Sequence, residues 1–168
     1  VRNTTSKLVA MRGDDVKVSE LPDDGTFPLS TARFEKRNIA VTIPEWEPEL
    51  CIQCAICSFV CPHAAIRLMA YDAKELEGAT VTFKSMDDKG KDLAGMKMTV
   101  QVAPEDCTGC GACVHNCPAK SKTDPSVKAI NMKPQPERRE VEVANFDFFL
   151  TLPELDQEKY NKASLKGS

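Results

Sequence analysis

Cys51-Ile52-Gln53-Cys54-Ala55-Ile56-Cys57-Ser58-Phe59-Val60-Cys61-Pro62 and Cys107-Thr108-Gly109-Cys110-Gly111-Ala112-Cys113-Val114-His115-Asn116-Cys117-Pro118 are one pattern written twice, 56 residues apart. Each reads C-x2-C-x2-C-x3-C-P, and together they use all eight cysteines of the chain. A four-iron, four-sulfur cube offers iron corners only a few ångströms apart, so a short loop must turn back on itself to present three thiolates to three corners. Gaps of two residues do that. The two runs predict two such clusters.

The fourth cysteine of each run lies too far round its loop for the cube held by the first three. In this pattern it ligates the other cluster. The predicted ligand sets are therefore crossed, with Cys51, Cys54, Cys57 and Cys117 on the first cluster and Cys107, Cys110, Cys113 and Cys61 on the second. Crossing staples the two halves together and brings the cubes near enough for an electron to pass between them. Two other uses of cysteine fit the pattern less well. Disulfides suit small secreted proteins, but cysteines three apart pair awkwardly and no secretion signal precedes them. Structural zinc is bound by paired cysteines, and needs neither the third cysteine at the same interval nor the trailing Cys-Pro.

The loops differ in what surrounds the thiols. Ile52, Ile56, Phe59 and Val60 offer the first an apolar lining, whereas Thr108, Gly109, Gly111, Ala112, Val114, His115 and Asn116 offer the second small and polar neighbours. Hydrogen bonds to sulfur and solvent access set cluster potentials, so the two cubes are expected to be unequal, the first drier and lower in potential. With all ligand places filled, His63 and His115 are expected to serve the loops rather than a metal.

Composition agrees with a soluble domain of 168 residues, 42% hydrophobic and 28% charged, with only ten aromatic side chains to build a core. Formal charge is −3 and no basic stripe is present, which argues against a nucleic-acid partner. Two clusters adding about −2 each would take the charge to roughly −7, favouring partners with positive patches. Any docking to anionic carriers would fall to local basic spots such as Lys120, Lys122, Arg138 and Arg139. No apolar run is long enough to span a bilayer and no leader pattern opens the chain, so a cytoplasmic setting is expected. The start at Val1 and the end at Ser168 suggest a segment cut from a longer polypeptide.

Around each loop the sequence repeats strand, loop, short helical turn, strand. Asn38–Pro44 and Met96–Val102 read as the strands entering the loops, and Ala64–Ala70 and Val127–Met132 as those leaving them. The expected fold is α+β, a bacterial two-cluster ferredoxin-like fold with a pseudo-two-fold repeat over residues 38–135. A charged surface insertion, residues 71–95, is expected to separate the halves, with one strand-like run at Thr80–Phe83 and a turn at Asp87–Lys91. Residues 1–37 read as an extended linker arm. Residues 136–168 read as a C-terminal arm leading to a following domain, with Phe146, Phe148, Phe149, Leu150 and Leu152 either wrapping the domain or docking elsewhere.

Several words in and around the cysteine pattern carry a family resemblance. They are Asp24-Gly25-Thr26-Phe27-Pro28, Thr31-Ala32, Glu35-Lys36-Arg37-Asn38-Ile39-Ala40, Cys51-Ile52-Gln53-Cys54, Val60-Cys61-Pro62-His63-Ala64-Ala65-Ile66-Arg67, Asp106-Cys107-Thr108-Gly109-Cys110-Gly111 and Ser164-Leu165-Lys166-Gly167-Ser168. Over most of its length the chain resembles the ferredoxin-like domain of pyruvate:ferredoxin (flavodoxin) oxidoreductases, with Ser30 where that family usually has glycine. The resemblance implies a relay of electrons from a thiamine diphosphate site, where a 2-oxoacid is decarboxylated and coenzyme A takes the acyl group, out to ferredoxin or flavodoxin. It also implies thiamine diphosphate, magnesium and a third four-iron cluster in other domains of the parent, itself a homodimer. On this reading the segment has no catalytic residue of its own and only transfers electrons. The alternative is an enlarged two-cluster ferredoxin acting as a free carrier.

Overall fold

Two β-rich stretches flank each cysteine run, and in the computed structural model they pair across the halves rather than within them. The structure describes residues 3–27, 29, 31–34, 36–159 and 161. Within the family words quoted above, Pro28, Ser30, Glu35 and 164–168 lie outside the described residues. The chain divides between Arg37 and Asn38 into two compact units.

The first unit differs from the expected extended arm. Thr5–Val9 forms a short helix, α1, followed by 3₁₀ turns at Gly13–Asp15 and Val18–Glu20 and a further one at Thr31–Phe34. Its residues fold back on one another through Glu20. Lys7 Nζ donates to the Glu20 carboxylate at 3.0 Å and to the Asp15 carbonyl at 3.1 Å, and Thr4 Oγ1 donates to the Glu20 carbonyl at 3.0 Å. Such polar pairings leave no hydrophobic stripe to find by periodicity, which is why the sequence reads as irregular.

In the second unit β1 (Thr42–Trp46) pairs antiparallel with β5 (Ile130–Pro134), Thr42 opposite Pro134 and Trp46 opposite Ile130. Pro44 is tolerated because this sheet has two strands only, leaving an edge where its missing N–H costs no ladder bond. β2 (Ile66–Tyr71) pairs antiparallel with β4 (Lys97–Val102), and β4 also carries β3 (Met86–Asp87), giving the order β2-β4-β3. Each cysteine run ends in one helical turn, α2 (Ile56–Phe59) or α3 (Ala112–Asn116). The entering strand of the first half thus starts four residues later than expected, beyond Asn38, whose φ of 51° breaks the extended run.

The core has two parts. Trp46, Ile66, Met98, Val100, Val102 and Ile130 bury their side chains together with Cys113 and Cys117, and Cys51, Cys57, Cys61 and Cys107 pack against them. The main core is therefore built on the thiol layer. The second part lies under α4 (Arg139–Phe149), where Phe149 and Leu152 close over Tyr71, and Phe83 meets Phe148 edge-on with ring centroids 4.8 Å apart. Burying Phe149 and Leu152 contributes about 2 kcal/mol each. The C-terminal aromatic cluster wraps its own unit, though Leu150 stays exposed.

Residues 71–95 are more than a surface insertion. Thr80–Phe83 is no strand. Its two threonines instead turn their hydroxyls onto the buried Asn145 of α4, Thr82 Oγ1 donating to Asn145 Oδ1 at 2.9 Å and Thr80 Oγ1 donating to the same oxygen. A period-two pattern of threonine and apolar residues fits a strand and a capping loop equally well, and a buried acceptor 63 residues away decided between them. Further on, Lys84 donates to the Trp46 carbonyl at 2.8 Å and pairs with Glu45 at 3.2 Å, tying the insertion to β1.

Candidate iron–sulfur centre

The two cysteine loops share a backbone course that only the structure reveals. Gln53 and Gly109, at matching places, have φ of 61° and 71°, and Ala55 and Gly111 have 61° and 74°. Left-handed residues at these two places curl each loop round its thiols and then turn it into α2 or α3, whose N-caps are Ala55 and Gly111. The same curl aims amides at sulfur. Gln53 N donates to Cys51 Sγ at 3.3 Å and Gly109 N donates to Cys107 Sγ at 3.4 Å. In both loops a backbone donor thus faces the first thiol, which favours that sulfur carrying negative charge.

Glycine at position 109 is favoured by its φ, which its counterpart Gln53 shares, and is also tightly confined in space. A Cβ there would sit 3.1 Å from the Thr42 carbonyl oxygen and 3.5 Å from Ala40 Cβ, whereas one at Gly111 meets nothing within 4 Å. Gly109→Ala and Gly111→Ala each add about 1 kcal/mol or more of left-handed strain. Only the first also pushes the loop off β1. Denaturant unfolding of the cluster-loaded protein is expected to show a clearly larger loss for Gly109→Ala, and equal losses would contradict this account.

Cys61, Cys107, Cys110 and Cys113 line one pocket, bounded by Pro44 of β1 and Met132 of β5. The fourth cysteine of the first run therefore stands with the first three of the second. Electrostatic neighbours repeat the grouping, since Cys61 and Cys110 both act on Cys107 and on Cys113. Cys51 and Cys54 act on Cys57 in the same way. Cys117 is buried in the apolar cluster against which Cys51 and Cys57 pack.

Burial pushes the Cys57 thiol up to about 12, with Cys51, Cys54 and Cys113 adding to the rise while the Ser58 amide opposes it. Burial likewise raises Cys113 to about 11 and lifts Cys107. Thiols so placed stay protonated near neutral pH, and binding iron would replace the S–H bond by an S–Fe bond with the proton released to water.

The chemistry of the donor set fits four-iron clusters. Among the described residues no three His, Cys, Asp or Glu side chains converge as the ligands of a single ion would. Trp46 Nε1, buried in the thiol-bearing core, has no acceptor among the protein atoms. The helical turns that carry Cys57 and Cys113, α2 and α3, pack on one another.

Other expected participants fall differently. Of the four residues expected to line the first cube, Ile52 and Phe59 are 57% and 69% exposed, whereas Ile56 and Val60 are half-buried. His63 is exposed at the pocket's rim, and His115 is exposed while its carbonyl accepts from Lys128 at 3.1 Å. Of the basic candidates, Arg138 pairs with Glu45 at 3.5 Å and Arg139 with Glu105 at 2.6 Å, whereas Lys120 and Lys122 are exposed. Missed from sequence was Gln53, 5% exposed, whose carboxamide binds the insertion at both ends. Its Nε2 donates to the Asp87 carbonyl at 2.7 Å, and its Oε1 accepts from Lys89 N at 2.8 Å. Lys89 Nζ in turn donates to the Cys51 carbonyl at 3.0 Å.

Eight cysteines on two matched loops, four of them round one pocket, define an iron–sulfur protein of the two-cluster class. Residues 50–121 match the family described as a 4Fe-4S dicluster domain, and residues 1–40 match one described as a domain of unknown function. The chain is 56% identical over 157 residues to the pyruvate-flavodoxin oxidoreductase of Nostoc sp., covering 94% of the chain and 13% of that protein. It is 50% identical over 168 residues to the pyruvate:ferredoxin oxidoreductase of Moorella thermoacetica and 48% identical to the probable pyruvate-flavodoxin oxidoreductase of Escherichia coli. In both, all of this chain is covered and 14% of the other protein. The chain is thus homologous, over essentially its whole length, to one segment of the pyruvate-flavodoxin and pyruvate:ferredoxin oxidoreductases, and spans about an eighth of their length.

Proposed function

We propose that this chain is the electron relay of a pyruvate:ferredoxin or pyruvate-flavodoxin oxidoreductase. It would carry two four-iron clusters on crossed ligand sets, within a ferredoxin-like fold of pseudo-two-fold symmetry. The observation that carries the reading is the pocket shared by Cys61 with Cys107, Cys110 and Cys113. Cys51, Cys54, Cys57 and Cys117 hold the other cluster.

The clusters supply one-electron chemistry when bound. The chain's own part is to hold and bias them. The amides of Gln53 and Gly109 meet the growing negative charge on sulfur, the core of Trp46, Ile66 and Met98 limits water, and the packing of α2 on α3 holds Cys57 and Cys113 on neighbouring elements. The parent enzyme supplies thiamine diphosphate, magnesium and a third cluster in other domains, works in the cytoplasm as a homodimer, and hands electrons to external ferredoxin or flavodoxin.

Iron and acid-labile sulfide analysis of the anaerobically purified chain, followed by EPR during stepwise reduction, tests the cluster reading. Two clusters per chain, each taking one electron, are expected. Zinc in place of iron, or a single cluster, would refute it. In the parent enzyme, pyruvate with coenzyme A is expected to bleach the dicluster absorption before the external acceptor is reduced.

A further inference from the structure

The tip of the insertion is fastened to the first cysteine loop, and it delivers a cation there. β3 brings Met86 and Asp87 onto the edge of β4, Met86 opposite Met98 and Asp87 opposite Lys97. From that anchor, the chain reaches Gln53, which takes one bond from the tip and gives one. The result is a defined position for Lys89, whose ammonium donates to the carbonyl of Cys51, the residue whose sulfur receives the Gln53 amide.

The acidic side chains next to Lys89 are engaged with other groups. Asp87 pairs with Lys97 at 2.7 Å, and the buried Asp88 turns its carboxylate back to accept from Gly90 N at 2.6 Å. Among the described residues no carboxylate lies within ion-pair distance of Lys89 Nζ, which instead spends a hydrogen on a neutral carbonyl. Among the described residues Lys128 is comparable, since its Nζ donates to the carbonyls of Val114 and His115, in the run that carries Cys113 and Cys117, residues assigned to different clusters. Lys89 sits on the carbonyl of a residue assigned to one.

We propose that Lys89 is a positioning residue which raises the reduction potential of the cluster held by Cys51, Cys54 and Cys57 above that of the other, so that electrons collect there. The proposal rests on the two-cluster reading. A fixed positive charge stabilises the more negative, reduced form of a nearby centre, and at an exposed site the effect is reduced by solvent and salt but not abolished. The order of potentials is then the reverse of the one read from the aliphatic residues of the first loop.

The test is an EPR-resolved redox titration of the cluster-loaded chain, with the cluster on the first loop assigned by its loss in Cys54→Ala. Lys89→Gln keeps a donor for the Cys51 carbonyl and removes the charge. It is expected to lower that cluster's reduction equilibrium three- to tenfold, a tenfold change being about 59 mV for one electron, and to leave the other unmoved. Lys89→Arg is expected to restore the native value and Lys89→Glu to lower it further, with all differences shrinking at high salt. Unchanged potentials in Lys89→Gln, or equal shifts in both clusters, would overturn the proposal while two clusters are still counted by iron analysis. A native chain with fewer than two clusters would instead overturn the reading beneath it.

Discussion

Replacing Cys61 and Cys107 together by alanine is expected to leave one iron–sulfur cluster on the chain, while replacing Cys61 and Cys51 together leaves none. The logic lies in the shared pocket. If Cys61 and Cys107 serve the same cube, as their joint lining of one pocket with Cys110 and Cys113 supports, the second substitution removes nothing that the first had not already removed. If instead each loop kept its own four cysteines, the two pairs would exchange outcomes. Iron content separates the cases without assigning a spectrum, since half the native iron distinguishes the two patterns from a chain with none. A companion pair, Cys117→Ala with Cys54→Ala, is expected to behave as Cys61 with Cys107 does. A Cys61/Cys107 variant that binds no iron would end the crossed assignment.

The second large effect is expected on removal of iron. The main core gathers Cys113, Cys117 and four partly buried cysteines round Trp46, Ile66, Met98 and Val100, and burial has raised the thiols rather than prepared them as free thiolates. Metal-binding energy in such a core is folding energy. Anaerobic chelation is expected to abolish most of the far-UV circular dichroism of the second unit. The single tryptophan reports the same event, because Trp46 is 6% exposed inside that core. Its emission is expected to rise and move to longer wavelength as iron leaves. A blue, buried-type emission and native dichroism after complete removal would show that the aliphatic packing stands alone.

The cysteine spacing made the centre legible, and strand-like runs on either side of each loop located β2, β4 and β5 within a few residues. What spacing could not supply was curvature. Nothing in Cys51-Ile52-Gln53-Cys54-Ala55 says that Gln53 and Ala55 are left-handed, yet laying that run over the second one places them on Gly109 and Gly111, residues whose usual purpose is to allow such a backbone. Comparison of the two halves position by position would have found it. The clasp of Gln53 on Asp87 and Lys89 had no local sign at all, since it joins residues more than thirty apart through main-chain atoms that any residue provides. The same is true of Asn145 under Thr80 and Thr82. Long-range polar bonds to backbone or to a lone amide leave no period in the sequence, and they turned a presumed surface excursion into the brace between a cysteine loop and α4.

The pairing of β1 with β5 also orders events in time. A ribosome that has delivered β1 and the whole first cysteine loop has still to make residues 130–134, the strand opposite β1. It has also still to make Cys107, Cys110 and Cys113, which share a pocket with Cys61. During that interval four cysteines stand in an emerging chain with neither their sheet nor their companions, open to oxidation and to wrong partners. On the proposed crossed assignment, maturation follows synthesis of both halves instead of keeping step with it, and a cell exposed to oxygen would need to keep those early thiols reduced until the second half arrives.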